Sequence, residues 1–304
     1  MSPRRDAAGS ANSAKLLVVI MGLGWGINWV AARIILTALP PWTMRTIGIG
    51  LGDLTLFAAA AITGVSLAVP RGERLKILIA GFFNVAVFGV GSAYAQVYGT
   101  TSRAIVIAYS MPIWSALLAH FVLREKLNAV KLGALALCAA GLAILIFPLA
   151  RSGFPLGALI ALGCAWSWAA GTIYLKWAKI CTPTLTSAAW QLLFGWLMLF
   201  AGMLLFEGVP HWQPLPASIV AWLAYNGFIG MGLAYFLWFV VADRLPTITA
   251  SLGSLLVPVV GVIGSAVVVG ERPSLPDIVG FACIFASAAS VLLQPTSRHD
   301  EMPE

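Results

Sequence analysis

The residues best suited to binding chemistry are aromatic and amide side chains inside long apolar runs. The segment GLGWGINW places Trp25, Asn28 and Trp29 at i, i+3 and i+4 spacing, so their side chains share one face of a helix. Asn28 is polar within an apolar run and needs a hydrogen-bonding partner. Aromatic walls with a few amide or hydroxyl groups suit a compact, partly apolar solute. This face is therefore predicted to line a cavity.

Similar spacings recur in later apolar runs. The further candidate cavity residues are Tyr94, Tyr98, Trp166, Tyr235 and Trp238. Because Trp and Tyr also gather at both membrane interfaces as anchors, an interfacial position is the alternative for these residues. Trp114, Trp190 and Gln191 fit either interpretation.

Long membrane helices must position these side chains. The chain has 304 residues, of which 60% are hydrophobic and 10% charged, whereas a soluble domain has roughly 25% charged residues. A bilayer crossing needs about 20 apolar residues. Charged and proline-containing joints divide the chain into ten such runs, at 15–37, 42–64, 75–97, 102–123, 129–148, 154–176, 184–206, 216–240, 247–269 and 275–293. We expect an all-α integral membrane protein with ten transmembrane helices.

The charged residues and cysteines argue against several classes of partner. The four cysteines are scattered, without Cys-x-x-Cys or Cys/His spacing, so neither a disulfide framework nor a metal site is predicted. The 18 Lys and Arg form no continuous basic face suited to nucleic acid. The expected partners are the lipid bilayer and a small-molecule substrate, with no cofactor and no obligate protein partner inferred.

Two apolar runs carry the same proline and glutamate. Pro112 lies thirteen residues before Glu125, Pro258 lies thirteen before Glu271, and the two pairs are 146 residues apart. Five helices per half reverse the direction of the second half, which predicts inverted repeats at 15–148 and 154–293, with tails at 1–14 and 294–304. Each proline frees the carbonyl four residues earlier, so Pro112 and Pro258 are candidate hinges, with a static kink as the alternative.

Positive charge predicts the orientation. With the N-terminus inside, thirteen of the 18 Lys and Arg fall on the cytoplasmic side, and five fall outside: Arg33, Arg45, Arg103, Arg151 and Arg272. Because Lys and Arg concentrate in cytoplasmic loops, both termini are expected in the cytoplasm. No Lys or Arg is expected near the midplane, which disfavours phosphorylated solutes, and several carboxylates for a polyamine are lacking.

Asp53 falls near the middle of the second apolar run. An ionised carboxylate is costly there, so Asp53 is a candidate for coupling solute movement to an ion. A protonated or hydrogen-bonded structural Asp is the alternative. Glu125 and Glu271 end their runs beside Arg or Lys and are expected to fix turns rather than contact a solute.

The motif GWGINWVAAR, the proline-centred helices 4 and 9, and the endings REKL and GERP resemble the drug/metabolite transporter superfamily, specifically its EamA-type ten-helix branch. The resemblance covers about Lys15 to Gln294. Within this branch, the sequence is most similar to the bacterial exporters of aromatic and other neutral amino acids known as YddG. It implies export of such amino acids across the bacterial inner membrane. One departure is Arg124, where the family usually has glycine.

Secondary transport by alternating access is favoured over other membrane functions. An enzyme needs a convergent nucleophile, base or metal ligands, so no catalytic residue is assigned. A channel needs a polar pore ring or a filter loop, and neither is visible in the sequence. A broad-specificity drug and metabolite exporter of the same fold, or a non-transporting scaffold, is the alternative.

Overall fold

The structure, a computed structural model, describes residues 3–210, 214–238 and 255–292, and this part of the chain is helical. Eight of its helices are long and apolar enough to cross a membrane, and the last two apolar helices are shorter as described. This confirms the predicted all-α membrane fold. The helices are α1 (Pro3–Ile35), α2 (Pro41–Thr63), α3 (Arg71–Val97), α4 (Thr101–Val122), α5 (Ala129–Ser152), α6 (Leu156–Trp177), α7 (Thr184–Phe206), α8 (Ala217–Trp238), α9 (Leu256–Val269) and α10 (Leu275–Leu292).

Three helix bounds differ from the prediction by four residues or more, and one of them is the start of α3, at Arg71 instead of residue 75. Helix α1 begins at Pro3 instead of residue 15, because the alanine-containing segment before Lys15 has enough helix propensity to continue the helix. Helix α5 runs through Pro148 to Ser152, as membrane helices tolerate an internal proline when neighbouring groups satisfy the freed carbonyl. The predicted tail at 294–304 and the first part of the predicted ninth span, 247–254, lie outside the described residues.

Helices of the first half pack against helices of the second in an exchanged pattern. Helix α1 packs on α9 as α6 packs on α4, and α2 contacts α8 as α3 contacts α7. The pairs α2 with α7 and α5 with α10 complete the arrangement. Two halves related by a two-fold axis in the membrane plane would give this exchange. The space between the halves is bordered by helices from both.

Three glutamates bind backbone N–H groups of the opposite half, two groups to each carboxylate. For Glu207 and Glu271 these groups belong to the first turn of a helix, where they lack partners within that helix. The sets are Glu207 with Trp42 and Thr43, Glu271 with Thr101 and Ser102, and Glu73 with Cys181 and Thr182, at 2.6 to 3.0 Å. Glu207 and Glu271 thus fix the starts of α2 and α4 against the other half, and Glu73 fixes the segment just before α7. The sequence predicts that Glu271 fixes the turn after its own helix, whereas its carboxylate caps α4.

Four helices depart from regular α-helix, and one of them, α9, does so at its end, in a π-helical segment at Ser265–Val269. Helix α4 is interrupted at Tyr109 and Ser110, just before Pro112, so the weak point predicted there is present. Helices α3 and α8 contain π-helical segments at Phe82–Val87 and Tyr225–Leu233. Pro258 is buried in α9. Movement at either proline stays a prediction.

Candidate functional site

Three adjoining cavities share lining residues between the two halves, and we call them together the central cavity. The two larger parts have volumes of about 350 and 260 Å³, and the third has about 50 Å³. Trp25, Trp168 and Trp238 line both larger parts, and Tyr235 lines all three. Together the larger parts fall in the size range of small-molecule sites.

Aromatic rings form one wall of the central cavity. Trp25 meets Tyr235 edge to face at a centroid distance of 5.3 Å and lies 6.0 Å from Trp238. Phe88 meets Trp168 edge to face at 5.0 Å on the α3 and α6 side. Such aromatic pairs are favourable contacts beyond the apolar area they bury. The wall therefore presents an apolar surface built from both halves.

Buried amides join helices beside this wall. Asn226 Nδ2 donates to Asn28 Oδ1 at 2.7 Å, which supplies the partner that Asn28 requires. Asn84 Nδ2 donates to Gln191 Oε1 at 3.1 Å. Asn84 and Asn226 lie in the π-helical segments of α3 and α8, and such segments occur often at functional sites.

Two glycines allow these amides to approach their neighbouring helices. A Cβ atom added at Gly171 would lie 2.0 Å from Asn84 Oδ1. One added at Gly230 would lie 2.2 Å from Asn28 Oδ1. Because real Cβ atoms do not approach so closely, any larger residue would push the amides out of position.

A cation also lies on the cavity wall. Arg45, in the second turn of α2, is 4% exposed and lines the smallest part of the cavity beside Asn28, Asn84 and Tyr235. Its Nη2 donates to Ser92 Oγ of α3 at 2.9 Å. The assignment of Arg45 to the outer side of the membrane stays a prediction, whereas its burial on the cavity wall was not predicted from the sequence. Its side chain turns inward to reach α3.

The family comparison follows this two-half arrangement. A model described as "EamA-like transporter family" matches residues 12–147 and, again, residues 155–293. The chain belongs to the EamA-like transporter family. This membership places it in the drug/metabolite transporter superfamily, as a multi-pass membrane protein whose family and relatives are transporters.

Several relatives of this EamA-like transporter are known by sequence. It is 25% identical to the uncharacterized transporter YoaV of Bacillus subtilis over 86% of this chain and 91% of that protein. It is 27% identical to a probable amino-acid metabolite efflux pump of Salmonella typhimurium, over 89% of this chain and 91% of that protein. The Escherichia coli protein of the same name is 26% identical, over 84% and 86%.

A solved crystal structure has the same fold as this EamA-like transporter. The two superpose with a TM-score of 0.64 at 23% identity, over 96% of this chain and 99% of the other. At this identity the likeness concerns the fold alone.

Five of the predicted binding residues meet at the central cavity. Trp25, Asn28 and Trp29 of α1 reach it together, as their spacing on one helical face predicts, and Tyr235 and Trp238 of α8 lie beside Trp25. The candidate hinge Pro112 also lines it. Solute binding by these residues stays a prediction.

Three predicted binding residues lie elsewhere, so their assignment to the central cavity is corrected. Trp166 is 38% exposed and packs on Trp114 at a centroid distance of 4.7 Å. Tyr94 and Tyr98 stack on each other at 6.1 Å, and Tyr98 lines a separate pocket near the start of α4. The reason is helical phase, because these side chains leave α6 and α3 on faces turned from the cavity.

Asp53 is buried but is not among the residues lining the central cavity. Its side chain is 6% exposed, and Oδ1 has no hydrogen-bonding partner within the described part of the chain. Helix α2, which carries it, packs on α7 and α8. A role in coupling would therefore act through helix packing rather than through direct contact with the solute.

Sequence reasoning missed Trp168, Asn84 and Arg45 as cavity residues. Trp168 is two residues from Trp166, on another face of α6, and the sequence of α6 favours neither face. The sequence does carry a pattern that could have identified Asn84. An aromatic residue followed by Asn occurs in two apolar runs, as Phe83–Asn84 and as Tyr225–Asn226. Arg45 lies near a predicted helix end and resembled an interfacial cation.

Proposed function

We propose that the protein exports neutral amino acids, including aromatic ones, from the cytoplasm across the bacterial inner membrane. The observation that carries this proposal is the central cavity, in which aromatic side chains of both halves face amides and one buried cation. Aromatic walls favour apolar side chains, while amide and guanidinium groups bind polar head groups. Relatives named amino-acid metabolite efflux pump support both cargo and direction.

The charges on the cavity wall also favour this cargo. No Asp or Glu is among its described lining residues, so a polyamine would lack the carboxylates it requires. The wall carries one Arg, which matches one carboxylate, whereas a phosphorylated sugar or nucleotide would favour several cations. A zwitterionic solute with a single carboxylate fits best.

Alternating access would proceed by rocking of the two halves around the cavity. With both termini in the cytoplasm, the loop between α6 and α7 faces inward, and the largest part of the cavity extends to Thr182 and Thr184 at that end. The Glu271 cap on α4 lies at the opposite, outer end. This arrangement suits a state that takes up its solute from the cytoplasm, with Pro112 and Pro258 as hinges.

Flux measurements in proteoliposomes test the proposal. Vesicles containing the protein are loaded with labelled phenylalanine, leucine, spermidine or a nucleotide sugar, and release is compared with protein-free vesicles. Release of the two amino acids alone is expected. Release of only the charged classes would refute the proposal. Repeating the assay with an imposed proton gradient tests whether amino-acid release is coupled to proton movement.

A further inference from the structure

Arg45 is an incompletely satisfied cation on the wall of the central cavity. Its guanidinium edge carries Nε and Nη2, and Nη2 donates to Ser92 Oγ at 2.9 Å. Buried Nε has no hydrogen-bonding partner within the described residues. Ser92 Oγ itself donates to Gly89 O at 2.9 Å, so it serves Arg45 only as a neutral acceptor.

No carboxylate neutralises this guanidinium in the described part of the protein. The ion pairs found there, Arg103 with Asp277 and Lys131 with Glu125, do not include it. The carboxylate of Glu207, which follows α7, contacts the start of α2, the helix that carries Arg45. This carboxylate accepts hydrogen bonds from the N–H groups of Trp42 and Thr43 instead. Because arginine stays protonated, Arg45 is a buried charge held by one neutral hydroxyl.

Arg103 shows how the Nε and Nη2 groups of an arginine are fully paired in this protein. Arg103 donates from Nε and Nη2 to the two carboxylate oxygens of Asp277, at 2.6 and 3.1 Å. This is the forked pairing that guanidinium and carboxylate groups prefer. At Arg45, Ser92 Oγ accepts from Nη2, whereas the buried Nε has no partner among the described residues. A carboxylate oxygen at Nε would complete the fork.

We infer that Arg45 binds the carboxylate of the transported solute. This inference rests on the proposed function and deepens it, because it makes the carboxylate a required part of the cargo. Arg45 lines the smallest part of the cavity together with Asn28, Asn84 and Tyr235. The solute side chain would then extend toward Trp25 and Trp168 in the larger parts. Amides and amines of the same shape would bind weakly.

A purely structural role for Arg45, joining α2 to α3 through Ser92, makes a different prediction. A structural arginine would change stability when replaced, without changing the preference for acids over amides. The discriminating quantity is therefore the ratio of affinities for phenylalanine and phenylalaninamide, measured in the purified protein by competition with labelled phenylalanine and by ligand-dependent thermal stabilisation.

The inference predicts that the wild-type protein prefers phenylalanine over phenylalaninamide by about tenfold or more. Arg45→Gln should remove most of this preference, and Arg45→Lys should keep part of it. Arg33→Gln is the matched control, because Arg33 is half-buried on α1 and donates to the backbone carbonyl of Gln96. This control should keep the wild-type ratio.

Three outcomes separate this inference from the proposed function. Equal binding of phenylalanine and its amide by the wild-type protein would overturn the inference even if amino acids are transported, and so would a ratio unchanged in Arg45→Gln. A third outcome is that phenylalanine does not bind, but 3-phenylpropionate stabilises the wild type and not Arg45→Gln. This result would support carboxylate binding by Arg45 and contradict the proposed amino-acid cargo. The wild-type comparison needs no variant, so misfolding of Arg45→Gln leaves the test intact.

Discussion

Arg124 and Gly270 take the same left-handed backbone conformation at positions 146 residues apart, with φ angles of 58° and 78°. Each follows a proline-containing helix, α4 for Arg124 and α9 for Gly270. Glycine adopts this conformation freely, whereas a residue with a Cβ does so at a steric cost. The family usually has glycine at the position of Arg124. Arg124 keeps the same turn, at the steric cost of a left-handed backbone conformation in a residue with a Cβ.

We predict that Arg124→Gly raises the free energy of unfolding by about 1 kcal/mol, because it relieves this steric cost. Gly270→Ala, the matched change in the other half, should lower it by a similar amount. Chemical denaturation in detergent micelles, followed by tryptophan fluorescence, measures both. A less stable Arg124→Gly protein would contradict the assignment of strain.

The Glu271 carboxylate is predicted to stabilise the start of α4. Glu271→Ala removes the acceptor for the N–H groups of Thr101 and Ser102, so we expect a loss of about 2 kcal/mol in the free energy of unfolding. Glu125→Ala is the control, since Glu125 pairs with Lys131 across 3.6 Å near the surface and contributes less than about 1 kcal/mol. Equal losses in both variants would argue against the cap.

Two tryptophans of α6 offer a matched pair for locating the transport path. Trp168 lines the central cavity, whereas Trp166 packs on Trp114 outside it. We predict that Trp168→Ala lowers phenylalanine flux at least about tenfold through lost apolar and ring contacts, and that Trp166→Ala retains most of it. The assay is release from proteoliposomes at matched protein content. The reverse ranking would move the path to the Trp166 face.

Pro112 is predicted to act in the conformational cycle. Proline interrupts the hydrogen bonding of α4 at Tyr109 and Ser110, so Pro112→Ala should stiffen the helix. Flux should then fall more than affinity for phenylalanine. Pro148→Ala, at an exposed position in α5, is the control and should change neither. Normal flux in Pro112→Ala would indicate a static kink.

Asp53 is predicted to couple transport to the proton gradient. Its buried Oδ1 lacks a partner in the described structure, so a change in protonation would alter how α2 packs. Asp53→Asn should remove any dependence of flux on an imposed pH difference, while Asp277→Asn, which loses the pair with Arg103, should keep that dependence. Unchanged dependence in Asp53→Asn would make Asp53 a structural residue.

The sequence predicts single-helix features of the candidate site better than features that depend on two helices. Trp25, Asn28 and Trp29 follow from spacing along α1. The choice between Trp166 and Trp168 depends on how α6 is rotated against α3 and α4. Arg45 turns inward to a hydrogen bond with Ser92 on the adjacent helix α3. Asn84 lies in a π-helical segment, which changes the local phase of α3. None of these rotations is encoded in the periodicity of one helix.

The most direct test of the proposed function measures whether an amino acid protects a thiol placed in the central cavity from chemical modification. Thr172 lines both larger parts, so Thr172→Cys, with Cys181 and Cys283 changed to Ser, places a thiol there while buried Cys138 and Cys164 remain. The rate of modification by a small thiol reagent is measured with and without phenylalanine, and Thr63→Cys at the exposed end of α2 is the control. Slower modification of Thr172→Cys alone, by phenylalanine and not by spermidine, is expected. An unchanged rate at phenylalanine concentrations that saturate transport would contradict binding in this cavity.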